Sequence, residues 1–67
     1  MRVKSVHLSA RLTALREARG LTRYAAARLA GLSPIHWTRL EEGQREPKAT
    51  TLRKIAAALG VEVGELI

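Results

Sequence analysis

Residues 22–43 read TRYAAARLAGLSPIHWTRLEEG. Thr22 is an N-cap residue, and the alanine-rich run from Arg23 to Ala30 is strong helix-forming material. Gly31 can take the left-handed conformation that closes a helix, and only Leu32 and Ser33 separate it from the next start. Ser33-Pro34 is that start. The serine oxygen can accept from an orphan backbone N–H, and proline in the first turn has no N–H to orphan. A second helix therefore runs from Pro34 to Glu41 or Glu42, where Gly43 stops it. Two short helices joined by three residues with a leading glycine predict a tight, angled corner.

Working outward, helical punctuation continues on both sides. Upstream, Ser9 is a candidate cap, Leu8, Leu12 and Leu15 fall on one stripe, and Gly20 terminates; these predict a helix over 10–19. Residues 1–7 alternate loosely and are expected to form an extended arm, which leaves 8–67 as the folded domain. Downstream, residues 44–48 with Pro47 form a polar loop. Leu52, Ile55, Ala56 and Leu59 define the core face of a helix over 49–59, ended by Gly60. Val61, Val63, Leu66 and Ile67 suit a short helix packed on the body or on a neighbouring subunit. The fold class is all-α.

Sixty-seven residues with 11 Ala and 10 Leu and no Cys or Phe leave room for one small core. With two histidines and no cysteine there is neither a disulfide framework nor a zinc-ligand set, and no cofactor or small-molecule ligand is implied. No nucleophile–base–acid arrangement or phosphate-binding loop is present, so an enzyme is not expected. No apolar run reaches the roughly 20 residues that span a bilayer, and no secretory signal is visible, so a cytoplasmic location is expected. Twelve basic residues oppose six acidic ones. Residues 1–28 hold seven basic side chains and one acid, while residues 29–67 hold five of each. The whole excess lies in the N-terminal half, and a polyanion is the natural partner.

The corner at 31–33 has the spacing of a helix-turn-helix. At about 100° per residue, Trp37 and Leu40 share one side of the second helix of the pair, and Ile35, Thr38 and Arg39 share the other, with Pro34 and His36 flanking it. That outer side suits a DNA major groove. Arginine bonds bidentately to guanine O6 and N7, threonine bonds or touches a thymine methyl, and isoleucine makes only apolar contact. Pro34, Ile35, Thr38 and Arg39 are the candidate base contacts, with Arg39 foremost. Ser33 and His36, at the start of the same helix, are candidate phosphate contacts.

From Leu12 onward the chain resembles the Xre/Cro-type, lambda-repressor-like helix-turn-helix repressors of bacteria and phages. The resemblance rests on Leu15-Arg16-Glu17, Gly20-Leu21-Thr22, Ala27, Gly31-Leu32-Ser33, Arg39 to Gly43, Pro47 and Thr51 to Val61, all in register. It implies a compact five-helix bundle acting as a sequence-specific, double-stranded-DNA-binding transcription regulator, a repressor by type. It also implies a homodimer on a palindromic operator. Arg23, Arg45 and Lys48 fall where such proteins hold phosphate, and Arg16 and Glu41 fall where they carry an internal ion pair. Four positions depart from the pattern. Ala26 and Trp37 stand where leucine and isoleucine or valine are usual, which reads as a volume exchange. Lys48 replaces a small hydroxyl cap. Pro34 and Ile35 replace polar readers, which shifts the expected specificity toward Arg39, Thr38 and DNA shape.

Other readings differ in what they demand. An antitoxin or adaptor would use the same fold to hold a protein rather than an operator. A cationic membrane binder fits poorly, because several short capped helices do not make one long lipid-facing stripe. Arg2, Lys4 and Arg11 either reach the DNA or are simply solvated. Val63, Leu66 and Ile67 are the expected dimer seam.

Overall fold

A computed structural model describes the backbone of residues 3–67 and the side chains of residues 8–67. Four α-helices follow one another: α1 (Val3–Ala18), α2 (Arg23–Ala30), α3 (Pro34–Glu41) and α4 (Ala49–Leu59). Residues Val63–Glu65 add a single 3-10 turn. Local chemistry sets the ends of the central helices. The Thr22 hydroxyl accepts from the Ala25 N–H at 3.0 Å, and the Ser33 hydroxyl accepts from the His36 N–H at 3.1 Å. Gly31 closes α2 at φ 73°, so that its own N–H and that of Leu32 reach back to the carbonyls of Arg28 and Ala27. A side chain at that φ would be strained, and the left-handed residue turns the chain sharply enough for α3 to begin three residues later.

The core draws on every helix. Leu8 and Leu12 of α1 meet Ala26, Ala27 and Ala30 of α2, Trp37 and Leu40 of α3, and Ile55, Ala56 and Leu59 of α4. Three small side chains on α2 let its backbone lie close to its neighbours, and the indole of Trp37 supplies bulk from α3. Both Ala26 and Trp37 are fully buried. Replacing Trp37 with isoleucine is expected to be milder in an Ala26→Leu background than alone, because the added leucine refills the void. Rescue stays incomplete, since isoleucine cannot donate the indole hydrogen bond described below. Equal losses in urea melts of the single and double variants would remove the volume exchange.

Three expectations are corrected here. The first helix begins at Val3, not after Ser9: residues 3–7 are helical rather than extended. Leu8 lies one turn before Leu12, so continuing the helix puts both on the buried stripe. Ser9 is consequently interior, and its carbonyl accepts from the Thr13 hydroxyl at 3.0 Å. Of the basic side chains expected on an arm, Arg2 and the side chain of Lys4 lie outside the described residues. Arg11 donates instead to the Glu65 carbonyl at 3.2 Å, tying α1 to the C-terminal turn.

The expected fifth helix is only the 3-10 turn, held by Glu65 N–H to Glu62 carbonyl and Leu66 N–H to Val63 carbonyl bonds, each 2.9 Å. Glu62 and Glu65 close it as a reciprocal capping box. The tighter i to i+3 winding brings Leu66 over the end of α4, where it is 1% exposed. The proposed seam therefore loses its central member: Leu66 belongs to the protein's own core, Val63 is half-buried, and Ile67 alone stands out.

Candidate nucleic-acid interface

Helix α3 is held from behind by one buried carboxylate. The Glu41 side chain is wholly buried and receives three donors from three helices. Arg16 of α1 approaches it twice, Nε to Oε2 at 2.5 Å and Nη2 to Oε1 at 3.2 Å. Trp37 Nε1, one turn earlier on α3, donates to Oε2 at 2.6 Å. Arg23, first residue of α2, donates through Nε to Oε1 at 2.9 Å. Arg16 also donates from Nη1 to the Leu21 carbonyl at 2.7 Å, bracing the turn between α1 and α2. Among the described residues no buried side-chain polar atom is left without a partner.

Burial alone pushes the Glu41 carboxyl up, but the hydrogen bonds from Arg16, Trp37 and Arg23 outweigh it and hold the group below the usual carboxylate value. The same contact with Glu41 raises the Arg16 guanidinium further above its ordinary value, against the opposing effect of burial. The result is a charged, fully bonded knot that fixes the roll of α3 relative to α1 and α2.

That roll decides which side chains face outward. Trp37 and Leu40 are 0% and 1% exposed, whereas Ile35 is 64% exposed and Arg39 is exposed beside it. Pro34, Ile35, Thr38 and Arg39 line a shallow open hollow on the outer side of α3, and Glu42 and Gln44 complete it. The Arg39 guanidinium has no hydrogen bond or ion pair among the described residues, so all its donors are available. Thr38 and His36 are half-buried; Ser33 and Pro34 are exposed. Glu42 and Gln44 escaped the sequence reading because helical phase stops at the end of α3. The available signal was Gly43: its φ of 73° folds the chain back, and the Gln44 N–H bonds the Arg39 carbonyl at 2.9 Å.

The expected phosphate contacts divide. Arg45 and Lys48 are exposed on the loop before α4. Lys48 is the N-cap of α4 and supplies no side-chain hydrogen bond there. The first-turn N–H groups of α4 therefore receive no side-chain cap from Lys48. Arg23 differs. Its side chain is 43% exposed, but Nε is committed to Glu41 and Nη1 lies 3.8 Å from Glu42 Oε2, so it is first of all a strut between α2 and α3. Only the outer part of its guanidinium remains to meet another group.

The helix-turn-helix domain family model matches residues 7–66. The chain is similar to the restriction-modification controller protein C.AhdI from Aeromonas hydrophila, with 36% identity and a TM-score of 0.91, over 94% of this chain and 96% of that one. It is also similar to the clp gene regulator ClgR from Corynebacterium glutamicum. The identity there is 27% and the TM-score 0.89, over 98% of this chain and 86% of that one. None of the curated proteins matches the sequence. No described helix is long and apolar enough to cross a membrane.

Proposed function

The chain belongs to the helix-turn-helix domain family, and from that premise we propose how it works as a DNA-binding transcription regulator. Helix α3 enters the major groove. Arg39 reads guanine through O6 and N7, Thr38 reaches the neighbouring base edge, and Pro34 and Ile35 make apolar contact. Ser33 and His36 touch phosphate at the entry of α3, Arg45 and Lys48 do so beside the start of α4, and the free edge of Arg23 adds to the same backbone. Two copies occupy half-sites of a palindromic operator about one helical turn apart, in the cytoplasm, and repress by occupancy. The observation that carries this reading is the outward Ile35/Thr38/Arg39 face on a helix whose opposite side is locked by Trp37 and Glu41.

Selection from a random duplex pool at moderate salt tests it. An enriched palindrome is the expected result; a pool that stays random contradicts the reading. Affinity for the selected site falls with salt, with a slope in log Kd of about 0.9 per phosphate contact. Replacing Arg45 or Lys48 with glutamine is expected to lower that slope by about one unit per half-site contact while leaving base preference intact. An unchanged slope removes that residue from the phosphate set.

A second reading has its own observation. Tyr24 and Leu29 on the outer side of α2 are 59% and 61% exposed, an apolar patch of the kind that adaptors and antitoxins use to hold a protein. The same selection separates the two, since a protein-holding domain enriches no operator.

A further inference from the structure

Isoleucine on a groove-reading face is an unusual choice, because water penalises it until something apolar covers it. Ile35 is 64% exposed, and it shares the hollow with Pro34, Thr38 and Arg39, and with Glu42 and Gln44 at the end of the helix. The edges of base pairs in the major groove are donors and acceptors with a single apolar exception, the C5 methyl of thymine. 5-Methylcytosine carries the same methyl at the same place. Ile35 and Arg39 are neighbours one turn apart on α3, about 5–6 Å between Cβ atoms, which lets the two address adjacent base pairs. From an exposed isoleucine that shares one hollow with the Arg39 guanidinium four residues on, we propose that the hollow recognises a C5-methylated pyrimidine on the base pair adjacent to a guanine, with Ile35 as the methyl-sensing residue. The inference rests on the DNA reading above and narrows it to one kind of base-pair step.

The test uses the full chain and duplexes carrying the site it selects. In one arm each thymine in turn is replaced by deoxyuridine, which deletes only the methyl. In the other, each cytosine is replaced by 5-methylcytosine, which adds it. Covering one methyl corresponds to about a fourfold change in Kd. If thymine is the source, one deoxyuridine beside the guanine weakens binding by about that factor; if methylcytosine is the source, one added methyl strengthens it equally. In both cases Ile35→Ala is expected to erase the difference, and its exposed position leaves the core untouched.

The proposal is overturned if no C5 methyl, removed or added, shifts wild-type Kd by twofold. It is equally overturned if the methyl effect survives in Ile35→Ala. Failure of the underlying reading looks different, since no site is then selected at all. A selected site that weakens with Arg39→Ala yet ignores every methyl leaves the DNA reading standing and removes this inference alone.

Discussion

Replacing Glu41 with alanine is expected to lower the stability of this protein by about 3–5 kcal/mol, because two guanidinium groups and an indole N–H lose their shared buried acceptor. For a chain of this length the total is about 3–10 kcal/mol, so the variant is at best marginally folded at room temperature. The burden falls mainly on Arg16, whose side chain is 11% exposed and cannot easily turn to water, whereas Arg23 is 43% exposed and can. Urea unfolding of wild type and variant measures the difference, and a loss below about 1 kcal/mol would mean that the knot is ornamental.

The pH dependence has a definite sign. The Glu41 carboxyl titrates lower in the folded protein than in the unfolded chain, so its contribution is complete above the ordinary carboxylate value of about 4.3. It is lost as pH falls through the depressed folded value. The gap between wild type and Glu41→Ala is therefore widest at neutral pH and narrows in acid by the part that the depressed carboxyl contributes. A gap that stays constant down to about pH 2 would show that charge has no part in it.

The second large effect concerns binding. Arg39→Ala is expected to weaken binding to the selected operator by roughly 5- to 150-fold per half-site, the range of a lost bidentate arginine–guanine pair of about 1–3 kcal/mol. Preference at one base pair should relax, while binding to unrelated duplex changes far less. Stability should not move, because Arg39 is exposed and its guanidinium holds nothing together within the described residues. If the variant keeps both affinity and preference, helix α3 is not the reader, whatever the fold. A loss spread evenly over all sequences would instead make Arg39 a phosphate contact.

These expectations differ in how far they were legible from residue order. The bounds of α2, α3 and α4 were, because most ends are written in adjacent residues: Thr22 and Ser33 accept from an N–H three residues on, Gly31, Gly43 and Gly60 adopt left-handed conformations, and Pro47 precedes the uncapped start of α4. The outward side of α3 followed from helical phase once Trp37 and Leu40 were placed inside. Other features depend on partners far along the chain. Arg23 reads as a phosphate ligand by position, yet Glu41, 18 residues away, takes its Nε. Leu66 reads as packing either on the body or in a dimer seam, and only the winding of residues 63–65 lays it on the protein's own core. The start of α1 was missed because a serine that could cap also sits comfortably inside a helix when the leucine before it must be buried.

Residue order alone thus determined where three of the four helices begin and end and which side of α3 faces away from the core, since both follow from contacts within a turn or two. Tertiary structure alone decided that Arg23 and Trp37 join Arg16 on Glu41, that Arg11 ties down the C-terminal turn, and that Leu66 packs on the protein's own body rather than on a second copy. A sequence displays which groups can donate, accept or be buried; only packing decides which of several equivalent candidates comes within about 3 Å of which.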